Sequence, residues 1–220
     1  ISAADADGWL LSDRSTSAQN GVTFIYLQQE LDGIRVHNAI VNFGIMPDGR
    51  VLHVGNRAVA NLRASANTTT PAISAEAAIA QGADALGVER PTSLTQLENK
   101  GGAAQEVLFN TGGISLENIP AKLVYQPLTS GEVRLAWDFS LYQLNGMHWW
   151  HARVDAVTGQ LLDKADWVVN ENLDVHSSEV AADYSANPSL PATGPTVGNS
   201  ELLTGSYNVF ALPAESPIHT

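Results

Sequence analysis

The 220-residue chain has no cysteine. A disulfide framework, a thiolate metal site and a thiol nucleophile are therefore excluded. Cations are scarce: 11 Lys and Arg stand against 23 Asp and Glu, a formal net charge of -12. Nucleic acid needs the opposite sign, and an anionic membrane surface is disfavoured for the same reason. No apolar run reaches the roughly 18 residues of a membrane span. The opening stretch ISAADADGW has no Met, no basic start and no apolar segment. It is not a signal peptide, and the chain is expected to be an excerpt of a longer protein. Catalytic signatures are missing as well: there is no His-Glu-x-x-His, no Gly-x-Ser-x-Gly and no Gly-rich phosphate loop.

What remains is globular in composition, with 44% hydrophobic and 15% charged residues. The first 20 residues are polar and small, with Trp9 and Leu10 as their only large apolar pair, and are expected to be a lead-in that docks by Trp9. From Gly21 the pattern alternates. VTFIYLQQEL is rich in β-formers and ends at Asp32-Gly33, a preferred pair for a two-residue type I′ hairpin. Ile34 and Val36 share one face, whereas Ala39, Val41, Phe43 and Ile45 carry the apolar set of the other parity. That one-residue change predicts a β-bulge at His37–Ala39. Pro47-Asp48-Gly49 makes the next turn, and RVLHVGN returns, completing a three-stranded meander.

The stretch from Pro71 to Val88 predicts one helix, over about Ala72 to Leu86, with Ser74 as N-cap and Gly87 as stop. Its apolar stripe is read as Ile73, Ala77, Ala80 or Gln81, Ala83 and Leu86. Gly82 costs roughly 1 kcal/mol against Ala and suits close packing on a sheet. Five strands are expected from about Gln105 to Val169, with a hairpin at Asn145-Gly146. The Pro- and Gly-rich SANPSLPATGPTVGNS reads as an exposed linker. The fold class is α+β: an antiparallel meander, then a helix packed on a larger antiparallel sheet.

Candidate sites divide into sharp and bland readings. His148 and His151 in HWWH tempt a metal assignment, but residues three apart on a strand point to opposite faces. The reading adopted is that one faces water and the other packs beside Trp149 or Trp150. His37 and His53 are read as solvent-facing strand residues. Trp137, Trp149, Trp150 and Trp167 suit either a carbohydrate platform or sheet packing, and packing is favoured. Asp155, Asp163 and Asp166 form a loose acidic group at a turn, with calcium a minor alternative to a solvated rim. A glycosidase using Asp138 and Asp155 is ranked last, because no spacing supports the pair.

YLQQELDGIRVHNAIVNFGIMPDGRVLHVGN resembles the fungalysin/thermolysin propeptide motif, at Tyr26, Gln28, Gly33, Ile34, Val36, Asp48, Gly49, Gly55 and Asn56. ISAEAAIAQGADALGV is similar to the helix that follows in such prosegments. LAWDFSLYQLNGMHWWHARVDAVTGQLLDKADWV resembles their PepSY-like strands, at Trp137, Trp149, Arg153, Asp155, Thr158, Gly159 and Trp167. YNVFALPAESPIH resembles the passage from prosegment into mature protease. The resemblance implies a PepSY-like/cystatin-like fold and a division into a lead-in (1–20), a hairpin unit (21–62), a helix-plus-sheet unit (71–170), a linker (171–206) and the start of the protease region (207–220). It implies the propeptide of a secreted zinc metalloendopeptidase, acting as chaperone and inhibitor of its own catalytic domain. Zinc and the catalytic residues then belong to that domain, with no membrane or nucleic-acid partner. The alternative is a free-standing PepSY-like binding or protease-inhibitor module. Tyr207, Phe210 and His219 are candidates for a tail that touches the catalytic cleft, against the simpler possibility that they begin the first strand of the mature domain.

Overall fold

The computed structural model describes residues 8–169. The tail candidates Tyr207, Phe210 and His219 and the linker lie outside the described residues.

The hairpin unit has four strands rather than three: β1 (Trp9–Thr16), β2 (Thr23–Leu31), β3 (Ile34–Ile45) and β4 (Val51–Asn56). Neighbours are antiparallel in the order β1-β2-β3-β4. The expected lead-in is thus corrected to an edge strand, paired from Trp9↔Gln29 to Thr16↔Thr23. Almost every residue of β1 is exposed. An exposed edge strand of this kind has no alternating apolar face, so hydrophobic periodicity is blind to it. Asp32 and Gly33 both take positive φ, 52° and 80°, as the hairpin turn requires.

The bulge is larger than a one-residue insertion. Gln28 opposes Ile40 and Glu30 opposes Arg35, so Val36, His37, Asn38 and Ala39 together stand opposite Gln29 alone. Asn38 turns the chain at φ 57°. The Gln28 amide holds the loop closed, donating to Val36 O at 2.7 Å and Ala39 O at 3.2 Å. Gln29, 1% exposed, accepts from Val59 N and donates to Val59 O, both at 2.8 Å. The passage beyond β4, with the short helix α1 (Leu62–Ser65), is tied back by that pair.

Helix α2 (Ala75–Leu86) starts later than expected. The N–H groups of Ala72 and Ile73 donate to Ala156 O at 2.8 and 3.0 Å, so these residues bridge to the sheet instead of entering the helix. Ser74 Oγ accepts from Ala77 N at 3.3 Å, and Gly87 closes the helix at φ 72°. The buried stripe is Ala75, Ala78, Ile79, Gly82 and Ala83. Of the expected stripe only Ala83 lies fully inside. Gly82 sets this rotation: a Cβ there would meet Phe139 Cζ at 2.5 Å, so the helix presses its smallest residues onto the sheet.

The main sheet runs β5 (Gln96–Gly101), β6 (Glu106–Phe109), β7 (Ile119–Pro127), β8 (Val133–Tyr142), β9 (Trp149–Asp155) and β10 (Leu161–Asp166), all antiparallel. It has six strands where five were expected. The extra one is β5, polar and exposed and therefore silent for the same reason as β1. The two sheets are continuous through a parallel bridge, Val36↔Tyr125. Beside β3, β7 stands at Val36 and β4 from Val41 onward. The molecule is a mostly-sheet α+β fold with few helices. Its core lies between α2 and the face bearing Leu123, Leu135, Trp137, Phe139 and Val154.

Candidate functional site

The register brings one row of charge across the opposite face of the sheet. Lys122 of β7 is the Cα partner of Asp138 of β8, Asp138 of Arg153 of β9, and Arg153 of Asp163 of β10. The signs alternate along this row, the arrangement that stabilises cross-strand neighbours. Arg153 is 2% exposed. Its Nη2 donates to Asp163 Oδ2 at 2.6 Å and its Nη1 to Asp138 Oδ1 at 3.3 Å. Burial pushes the Asp138 carboxyl up, but the His151 hydrogen bond and the charges of Arg153 and Lys122 outweigh it and hold the group below its usual value.

His151 completes the cluster. Its Nε2 lies 2.7 Å from Asp138 Oδ1, and its Nδ1 lies 3.3 Å from Arg153 Nη1. A guanidinium only donates, so Nδ1 accepts and the ring proton sits on Nε2, facing Asp138. One row further, Asp155 is fully buried: Oδ1 accepts from Val157 N and Thr158 N at 2.8 and 2.9 Å, and Oδ2 stands 3.0 Å from Arg134 Nε. Asp155 thereby shapes the turn that Gly159 completes at φ 76°.

Above this row the β3 bulge overhangs a groove of about 710 Å³. His37 and Asn38 line one side and the Gly101–Ala104 turn another, and Lys122, Asp138, His151 and Trp167 also border it. His37 is half-buried, with its ring centroid 6.2 Å from that of His151. The expectation that it faces solvent is corrected, because the bulge turns it inward. Burial first, and the Arg153 charge second, hold its imidazole below the ordinary value.

The remaining candidates disperse. His148 bonds Asp166 Oδ2 at 2.6 Å and stacks on Trp150 at 4.7 Å. His151 goes to Asp138, so neither histidine of HWWH is idle at the surface. His53 is exposed, 6.1 Å from Phe24. Asp155, Asp163 and Asp166 take three separate partners, Arg134, Arg153 and His148, so they do not form one acidic group. Trp137 is in the core and donates to Ile73 O at 3.0 Å. Trp149 stacks on Tyr142 at 5.0 Å and meets Trp167 edge-on at 5.3 Å. The tryptophans thus serve both sheet faces and form no single platform. Among the described residues, no group of three or more His, Asp or Glu side chains could hold a metal ion.

In the hairpin unit, Ile34 and Val36 are buried, and Gly49 turns at φ 86° beside Asp48, whose Oδ1 accepts from Arg50 N. Gly55 abuts the Asn42 side chain, and Asn56 Oδ1 accepts from Ala58 N at 2.9 Å. Tyr26 is half-buried in β2. These are turn and packing positions. Of the motif positions in this unit, Gln28, Gly33 and Val36 line the groove. Sequence reasoning missed Lys122, Asp163 as the partner of Arg153, and Gln29. The alternation of β7 and β10 contained the first two, but only register shows that they meet.

Residues 7–58 match the Fungalysin/Thermolysin Propeptide Motif. Residues 7–58 of this chain therefore carry a fungalysin/thermolysin-type propeptide motif. The match takes in β1, ahead of the boundary expected at Gly21. The chain is also 28% identical over 170 residues to the Extracellular metalloproteinase mep of Aspergillus niger, a match covering 76% of this chain and 26% of that protein. It therefore spans about a quarter of the length of that curated relative. The segment corresponds to propeptide and is not itself the catalytic part. Among solved structures, the Bacillus megaterium YpeB C-terminal domain aligns at a TM-score of 0.37 and 13% identity, over 74% of this chain and 58% of that one. At that score the likeness supports nothing further. No helix among the described residues is long and apolar enough to cross a membrane.

Proposed function

We propose that this chain is the folded prosegment of a secreted zinc metalloendopeptidase, and that it assists folding of the catalytic domain and restrains it until processing. The observation that carries the proposal is the propeptide motif over residues 7–58, within a chain similar along 170 residues to an extracellular metalloproteinase. The physical form suits the role. A propeptide that guides folding must itself be rigid, and the continuous sheet braced by α2 supplies that body. Zinc belongs, on this reading, to the parent catalytic domain. The helix-plus-sheet part is assigned a PepSY-like/cystatin-like character, and Tyr207, Phe210 and His219 are assigned to the junction with the protease.

The test is refolding in trans. The parent catalytic domain is unfolded and renatured with and without the 220-residue chain, and peptidase activity is followed. The chain is expected to raise the refolded yield and to suppress activity while bound. Equal yield and undiminished activity at saturating chain would reject the proposal.

A further inference from the structure

We propose that His37, facing His151 across the seam between the hairpin sheet and the main sheet, is an acid-sensitive latch: neutral, it lets the β3 bulge close over the charged row, and proton uptake loosens that closure. The inference concerns the chain's own seam and stands independently of the propeptide reading.

The seam is slender where His37 sits. β3 meets β7 through the bridge Val36↔Tyr125, and His37 is the next residue. Its ring lies edge-on to His151, with centroids 6.2 Å apart and planes at 70°. His151 cannot rotate to receive a charged neighbour, because Asp138 and Arg153 occupy both its ring nitrogens. The titratable and charged groups facing His37 are Asp138 on β8, His151 and Arg153 on β9, and Asp163 on β10. Lys122 of β7, Arg35 of β3 and Glu106 of β6 line the same groove. Arg153 already pairs both Asp138 and Asp163. A proton on His37 therefore adds a cation beside a buried guanidinium, with both aspartates of the row already paired to that guanidinium. Both burial and Arg153 favour the neutral ring, against a weaker pull from the two aspartates.

The sign follows from linkage. His37 has a folded-state pKa below its ordinary 6.5, so the unfolded chain binds the proton more readily. Stability is then full above about 6.5 and declines as pH falls from there toward the folded value. One imidazole held neutral changes the folding constant by up to about tenfold between about pH 7.5 and about pH 5.5.

The experiment measures urea unfolding of the full 220-residue chain at both pH values, for wild type and His37→Gln. The variant is expected to lose up to about tenfold of the pH-dependent change in the folding constant. An unchanged pH dependence overturns the proposal. To separate the proton effect from any repacking of the bulge by the substitution, the wild-type imidazoles are also titrated by NMR, and amide exchange, corrected for its intrinsic pH dependence, is followed at Val36–Ala39 and Tyr125. His37 is expected to titrate below about 6.5, with faster opening at those amides than at Val133–Leu141 in acid. Titration of His37 at or above its ordinary value, or uniform exchange across both segments, defeats the latch.

Discussion

Arg153 is the residue on which the open face of the sheet depends. It is 2% exposed and joins Asp138 to Asp163. Removing one member of a buried ion pair leaves charge without compensation, typically at 3–5 kcal/mol. Asp163 is 43% exposed at its side chain and rehydrates easily, so most of the cost comes from Asp138. Arg153→Ala is expected to destabilise the chain by about 3 kcal/mol in urea unfolding. Arg153→Lys should recover only a small part, because an ammonium cannot fork to two carboxylates and His151 at once. A full rescue by Lys would show that charge alone matters there.

Among the elements, α2 shows how packing overrides propensity. Gly82→Ala should gain roughly 1 kcal/mol from helix propensity in isolation. In the folded chain the new methyl meets Phe139 Cζ at 2.5 Å and Val154 Cγ2 at 3.0 Å, and both side chains are buried. Overpacking of that kind costs about 1–3 kcal/mol, so the net expectation is a loss of stability. A thermal midpoint above wild type would contradict the tight contact between α2 and the sheet. The same contact explains the rotated stripe. An amphipathic pattern made largely of Ala is nearly degenerate, and the partner surface chooses the face.

For the whole molecule, acid acts in two windows. The His37 effect begins below about 6.5. A second loss should come below the ordinary carboxylate value of 3.8, because Asp32, Asp48, Asp84, Asp138 and Asp166 are all held below it. A depressed carboxyl contributes stability above its unfolded pKa and loses it as pH falls through the folded one. Asp32, Asp48 and Asp84 are exposed and partnered by Arg63, Arg50 and Arg90, where solvent screens the pairing, and Asp166, half-buried, is partnered by His148. Asp138, mostly buried, should supply the larger step. Asp138→Asn is therefore expected to flatten, without abolishing, the fall in the urea midpoint between about pH 5 and about pH 2.5. An acid profile identical to wild type would place the sensitivity elsewhere.

By itself the sequence determined the turns, the helix and the long central strands. Asp32-Gly33, Asn145-Gly146, Ser74 and Gly87 act through local backbone preference, and β8 announces itself by the alternating large apolar residues Val133, Leu135, Trp137, Phe139 and Leu141. The propeptide resemblance was legible for the same reason, since its positions are mostly turn and packing residues within one hairpin. Only the tertiary structure decided the edge strands β1 and β5, which are held by backbone pairing and leave no apolar period. It also decided the extent of the bulge, which the Gln28 amide closes from the neighbouring strand. The row Lys122–Asp138–Arg153–Asp163 draws on four strands. Such a row exists only once register is set, and register is a property of paired strands that no single segment carries.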